Sequence, residues 1–378
     1  MSTTDESASN STKEPARLSL YIITPLLSVL VSLLLAEFAL ALVYPSPYSM
    51  ERNMYFEPDP YTGYRIRPDS EGGYYNDISA NANSMGLRDR EFSMQKEPGI
   101  TRVMVLGDSF TVGANVEESE AYPKELERLL NEGAASNYEV INTGVGGWSP
   151  YQYAQYYEYR GRKLDPDLII VGLFVGNDTY VERFSQDDVL TAVKGRRTSQ
   201  QAANKPLTKL KVTFYEHSHL ARLIMNIGVP TNENFRRAES CDEFSNTYIH
   251  IQRSRMPNHL LRTPETDELA RKNIEEIVRI KSMADEDGDQ LLVVLIPDEN
   301  QINPDLQARI IEPQDMNNYD FNQPQQLLTS LLEDNSIEVL DLKPYFSADD
   351  RCLYMNDTHW IPEGHTLAAE KIVERLAR

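Results

Sequence analysis

From residue 101 onward the chain repeats one pattern: a short, almost wholly apolar run, then a longer stretch whose apolar side chains recur at helical spacing. The apolar runs fall at 102–106, 138–142, 167–174, 290–296 and 336–340. The helical stretches fall at 122–131, 151–160, 268–285 and 362–376, with Pro123 and Pro362 each near a start, where the missing N–H is not needed. A strand that faces water on one side alternates polar and apolar residues, whereas a strand apolar throughout must be covered on both faces. Strands alternating with helices supply that cover as a parallel sheet with helices packed on each side. The expected class is therefore α/β. In such sheets ligands bind beyond the carboxyl ends of the strands, so the residues following each apolar run are the ones to read for chemistry.

Residues 180–265 interrupt the alternation. They are polar and mixed, and read as an insertion or lid on the sheet's functional edge within a main domain at 101–378. Residues 45–100, rich in Pro, Tyr, Gly and Asn, read as a linker that becomes an ordered extension of that domain; within it Asn83-Ser84-Met85-Gly86-Leu87-Arg88 has turn chemistry. Ahead of these, Leu18 to Ala36 carry no charge, and the apolar run continues to Tyr44, broken only by Glu37. A run of this length crosses a hydrocarbon core as a helix, and Pro25 is tolerated there. The reading is a cytoplasmic tail at 1–17 and a single-pass anchor at 18–44, with Lys13 and Arg17 keeping the N-terminus inside. A cleaved signal peptide is the alternative, since Ala39-Leu40-Ala41 has the form of a cleavage site. Under either reading the main domain lies on the extracytoplasmic side.

With 37 basic and 58 acidic residues the formal net charge is -21, a balance that repels phosphate backbones and excludes nucleic acid as a partner. The two cysteines, Cys241 and Cys352, have no zinc-ligand spacing. In an exported domain they either form one disulfide or stay separate thiols. His217 and His219 sit close together, but no carboxylate cluster accompanies them, so a metal site there has little support.

Four short blocks follow strands or precede the last helix. Gly107-Asp108-Ser109-Phe110 follows the first strand, where a Ser at a strand-to-helix turn is exposed at the sheet edge; by itself the tripeptide is an ordinary turn or helix cap. Asn142-Thr143-Gly144-Val145-Gly146-Gly147-Trp148-Ser149 ends the second strand, and its glycines let a backbone N–H approach a ligand, with Ser149 as a candidate cap of the next helix. Gly176-Asn177-Asp178 follows the third strand, where a side-chain amide can donate to a developing oxyanion or simply close an Asx-turn. Asp357-Thr358-His359-Trp360 precedes the last helix, and an imidazole with a carboxylate beside it can take a Ser proton; His365 is a nearby competitor for that role.

Taken together and in this order, the four blocks resemble those of the SGNH hydrolase superfamily (the GDSL family), over roughly residues 83–378 without the insertion. The resemblance implies a flavodoxin-like three-layer α/β/α sandwich, here preceded by one transmembrane helix. It assigns Ser109 as nucleophile, His359 as base with Asp357 as its partner, and Ser109, Gly147 and Asn177 as the oxyanion hole, Gly146 being the next choice after Gly147. It implies acyl transfer through a covalent intermediate, with no metal or organic cofactor. One departure matters: the commonest last block is Asp-x-x-His, and this chain has Asp-x-His, a pattern that looks like branches related to polysaccharide O-acetylation. Where Asp357 does not orient His359, a backbone carbonyl takes its place. The leading expectation is a serine esterase acting on ester-linked acyl groups, such as acetyl, of a glycan or lipid. The alternatives are an O-acetyltransferase acting on a cell-surface polysaccharide, or a non-catalytic glycan-binding protein on the same fold. The Tyr-rich stretch Tyr151, Tyr153, Tyr156, Tyr157 and Tyr159 suits a sugar groove or, more simply, packing against the sheet.

Overall fold

The computed structural model describes residues 14–43, 55–70, 73–75, 78–132, 137–193, 196–226, 243–259, 261–355 and 357–378. Each expected apolar run forms a strand: β1 (Thr101–Gly107), β2 (Tyr138–Asn142), β3 (Leu168–Phe174), β4 (Gln290–Ile296) and β5 (Glu338–Asp341). They form one sheet in the order β5-β4-β3-β1-β2, with every neighbouring pair parallel. β5 begins later than its apolar run because Ser336 takes a left-handed backbone, φ 56°, and closes the preceding helix instead of opening the strand. The helices used below are α1 (Glu14–Val43), α2 (Ser109–Val112), α3 (Tyr122–Leu130), α4 (Pro150–Tyr159), α5 (Pro206–His217), α6 (His219–Asn226), α7 (Asn246–His259), α8 (Pro264–Asp287), α9 (Gln323–Glu333) and α10 (Pro362–Leu376).

Strand side chains alternate between faces, and this divides the core into two layers. Met104 and Leu106 of β1 pack with Ile169 and Val171 of β3 against Tyr153 of α4 and Ile274 and Ile277 of α8. Val103 and Val105 pack with Ile170 against Leu126 of α3 and Leu367 and Ile372 of α10. The result is the expected helix–sheet–helix sandwich. α8 begins earlier than its periodicity suggests because Thr263 caps it, accepting the Thr266 N–H at 3.2 Å, and Pro264 takes the first helical position. Near the middle of the sheet one layer comes unusually close to the strands. A Cβ on Gly172 would lie 2.5 Å from the Tyr122 hydroxyl and 2.8 Å from Thr111 Oγ1, and these two hydroxyls bond each other at 2.8 Å.

From Tyr55 on, the described part of the extension packs into the domain. Phe56–Asp59 pairs antiparallel with Gly63–Ile66. The hairpin is held by Trp148 Nε1 donating to Tyr64 O at 3.1 Å and Gln152 Nε2 donating to Thr62 O at 2.8 Å. The Asn83 turn forms as read: its Oδ1 accepts the N–H groups of Met85 and Leu87, both at 3.0 Å. Arg88, buried, then donates to the carbonyls of Gly113 at 2.5 Å and Val116 at 2.7 Å, bracing the loop behind α2. The insertion supplies a hairpin, Leu190–Val193 with Arg196–Ser199, and the helices α5, α6 and α7.

The chain divides into two compact units: Met1–Glu51 with Lys209–Val229, and Arg52–Thr208 with Pro230–Arg378. In the smaller unit, Tyr21–Val43 of α1 has a mean hydropathy of 2.6 and is long and apolar enough to cross a membrane. α6 packs on it, and the Glu37 carboxylate accepts from Ser218 Oγ at 2.7 Å and from the N–H groups of His219 and Leu220 at 2.6 and 3.0 Å.

Candidate active site

The four sequence blocks all emerge at or just beyond the carboxyl ends of strands or before α10, and a common feature marks the residues read as functional. Between 102 and 116 every residue is buried except Ser109; between 140 and 154 every residue is buried except Gly147; between 168 and 180 only Gly176 and Asn177 are not. His359 likewise is half-buried between buried Thr358 and Trp360. The folded chain leaves these side chains and this one glycine accessible while enclosing their neighbours.

The local geometry follows from caps and turns. Asp108, fully buried, caps α2 by accepting the Phe110 N–H at 2.9 Å, so the cap weighed for this tripeptide is Asp108 and Ser109 opens the helix. Burial pushes the Asp108 carboxyl up, against the opposing effects of the Phe110 N–H and the nearby His359. Ser109 Oγ donates to Asp108 Oδ2 at 3.4 Å, and Asn177 Nδ2 donates to the same oxygen at 3.2 Å. The turn that presents Asn177 is closed by Asp178 N–H on Phe174 O at 3.0 Å. It is pinned below by the Asp178 carboxylate, which accepts from Tyr153 Oη and Phe174 N–H, both at 2.9 Å. Asn177 Oδ1 is buried and bonds no group among the described residues.

Gly147 has φ +78°, a conformation that favours glycine. Its carbonyl accepts from Arg183 Nη1 at 2.9 Å, while the carbonyl of buried Gly146 accepts from Tyr64 Oη at 2.9 Å and Arg197 Nη1 at 2.8 Å. With the carbonyls tied down, the Gly147 N–H donates to no acceptor among the described residues. Ser149 caps α4, its N–H received by Gln152 Oε1 at 3.2 Å. Of the tyrosines in α4, Tyr151, Tyr153, Tyr156 and Tyr157 are buried and only Tyr159 is exposed, stacked on Tyr61 at 4.1 Å between ring centroids.

In the last block, Asp357 Oδ1 accepts the His359 N–H at 3.0 Å and Oδ2 lies 3.1 Å from His359 Nδ1. The structure thus brings Asp357 and His359 together across the short Asp-x-His spacing. Burial alone would raise the Asp357 carboxyl, but His359 and the amide of Asn115 outweigh it and hold the group below its ordinary value. The His359 ring lies 5.4 Å from that of Phe110, the neighbour of Ser109. Ser109 and His359 are not themselves hydrogen-bonded, because Ser109 Oγ is turned to Asp108. His365 is different in kind: it is buried, its Nδ1 accepts the Tyr122 N–H at 3.2 Å, and burial lowers its pKa to about 3. It is a neutral acceptor that fixes the start of α3.

Sequence reading missed three residues around this loop. Asn115 Nδ2 donates to Asp357 Oδ2. Thr358, at φ +93°, has its hydroxyl held by Arg255 Nη1 at 2.7 Å and Gln252 Nε2 at 3.3 Å, both from α7 of the insertion. Nothing local to any of the three signals the role. His219, one of the pair weighed as a metal site, has Nδ1 2.9 Å from Glu37 Oε1. Cys352 is not a free thiol, and Cys241 lies outside the described residues.

Residues 257–378 match the family model described as the SGNH hydrolase-like domain of the acetyltransferase AlgX. This C-terminal segment is of the SGNH hydrolase-like type. The matched segment contains the Asp357-Thr358-His359 block, and the Ser109, Gly147 and Asn177 blocks precede it. Solved structures similar to this chain include an acetyl xylan esterase, 15% identical at a TM-score of 0.38 over 73% of this chain and 99% of that one. A two-domain esterase active on acetylated mannans is 13% identical at a TM-score of 0.39, over 74% of this chain and 48% of that one. A GDSL-like lipase from Bacteroides thetaiotaomicron is 9% identical at 0.35, over 73% of this chain and 88% of that one. No curated protein matches the chain.

Proposed function

We propose that this SGNH-type chain is a serine esterase that removes ester-linked acyl groups, of the acetyl class, from a glycan or lipid outside the cytoplasm. The observation that carries the reading is the Asp357–His359 pair at 3.1 Å, anchored by Asn115 from the loop behind α2. With Nδ1 engaged by Asp357, Nε2 is the nitrogen left to act as base. In the reaction Ser109 Oγ turns from Asp108 to His359 Nε2, gives up its proton and attacks the ester carbonyl. The oxyanion is received by the N–H groups of Ser109 and Gly147 and by Asn177 Nδ2, which leaves Asp108 for it. Collapse expels the alcohol with the proton from His359. Water, deprotonated by the same imidazole, then releases the acid. α1 anchors the protein as an uncleaved single-pass span, with the domain on the extracytoplasmic side.

The second reading keeps the acyl-enzyme and replaces water with a polysaccharide hydroxyl, making the chain an O-acetyltransferase. It is favoured by the description of the family model that residues 257–378 match. The experiment is hydrolysis of 4-nitrophenyl acetate by the full chain in detergent, compared with Ser109→Ala. Loss of turnover in the variant supports Ser109 as nucleophile, and equal turnover removes it. Folded protein inactive in both forms, but transferring acetyl to a glycan when a donor is supplied, establishes the second reading over the first.

A further inference from the structure

We propose that α5 and α6 of the insertion lie in the outer boundary layer of the bilayer, clasped to the span α1 by Glu37, with Leu210, Phe214, Leu223 and Ile224 against phospholipid acyl chains. The inference rests on reading α1 as a membrane span. Glu37 is the only charged residue between Tyr21 and Val43, and a carboxylate within hydrocarbon needs its lone pairs filled. They are filled by the start of α6. Oε2 accepts from Ser218 Oγ at 2.7 Å and Leu220 N–H at 3.0 Å, while Oε1 accepts His219 N–H at 2.6 Å and lies 2.9 Å from His219 Nδ1. A helix start carries N–H groups with no partner of their own and a partial positive charge, so each element meets the other's unsatisfied need.

Position along α1 sets the depth. From Glu37 to Val43, at ~1.5 Å per residue, is about 9 Å. Amphipathic helices lying in a membrane surface bury their apolar face roughly 5–10 Å below the headgroups. Exposure supplies the second observation. Leu210 and Phe214 are 53% and 56% exposed on one face of α5, and Leu223 and Ile224 are 38% and 58% exposed on α6. The neighbouring side chains of the span, Leu34, Leu35 and Phe38, are exposed at 61%, 64% and 64%. α6 packs on α1, and both helices carry exposed apolar side chains there. Lys209 and Lys211, both exposed, are long enough to reach headgroup phosphates from α5.

The test places the full chain in phosphatidylcholine vesicles and reads tryptophan fluorescence in two variants, Leu30→Trp within the span and Phe214→Trp on α5. Native Trp148 and Trp360 are buried and give a constant background. Lipids brominated deep in the chain should quench the Leu30→Trp signal, lipids brominated near the headgroup should quench the Phe214→Trp signal, and aqueous iodide should quench neither. Adding Glu37→Ala should abolish the lipid quenching at position 214 and leave that at position 30. Quenching at 30 with position 214 open to iodide overturns the inference and leaves the anchor standing. Position 214 shielded from lipid and iodide alike means protein covers the face, and also overturns it. No lipid quenching at position 30 removes the anchor and the inference with it.

Discussion

Thr358 is where the short Asp-x-His spacing is made to work. A β-branched residue at φ +93° is rare, and such a backbone costs on the order of 1–3 kcal/mol unless its surroundings hold it. Here the hydroxyl is held by Arg255 and Gln252, and the turn it permits lets Asp357 receive both the backbone and the ring N–H of His359. Thr358→Val keeps the shape but removes one acceptor of Arg255 Nη1 and Gln252 Nε2, which still reach Asp298 and, for Gln252, Tyr248, so it should destabilise the protein by about 0.5–1.5 kcal/mol. It should also lower kcat with little change in KM, as denaturation and steady-state kinetics would show. Asn177→Ala should lower kcat by about 10²–10³ while the protein stays folded, which circular dichroism and turnover together can check. The legibility of these residues divides along the same line. Ser109, Gly147, Asn177 and His359 sit in compact blocks after strands or before the last helix, and the resemblance of the four blocks taken together is what singles them out. Asn115 acts on a residue 242 positions away and Arg255 on one 103 away, and no local pattern carries such a partnership.

At the scale of elements, the central strands were legible because they are buried on both faces and so read as unbroken apolar runs, whereas β5 at the sheet edge is buried only at Leu340. β3 is buried at all 7 positions. What periodicity does not reveal is how near the layers come. Thr111 and Tyr122 close over Gly172 so tightly that Gly172→Ala must push the hydroxyl pair apart. The expected cost is about 1–3 kcal/mol, the usual range for overpacking, read from the shift in a urea midpoint at unchanged slope. The helices of the insertion were read only as mixed polar sequence. α5 and α6 leave much of their apolar surface exposed, and a stripe that is not buried in the domain's core does not advertise itself as a core helix.

For the molecule as a whole, the architecture was legible and the way the insertion is bolted on was not. α7 is joined to the segment after β4 by Tyr248 Oη, which donates to Glu299 Oε2 at 2.5 Å, and within that segment Asn303 Nδ2 donates to Glu299 Oε1 at 2.9 Å. Burial, against both of those bonds, raises the Glu299 carboxyl from its ordinary 4.5 to about 7. The folded protein therefore holds this proton more tightly than the unfolded chain does. The stabilisation is complete below 4.5 and is lost as pH rises through about 7. Melting temperatures from pH 5 to 8 should fall more steeply for the wild type than for Glu299→Gln, which has no proton to lose. Asp357 works in the opposite sense: its lowered carboxyl stabilises the fold above its ordinary range and stops doing so on acidification. The pairing of Asn115 with Asp357 across nearly the whole domain also has a consequence in time. During synthesis the segment bearing Asn115 is made 242 residues before Asp357. The loop behind α2 therefore waits for its partner until all of the intervening chain has been made.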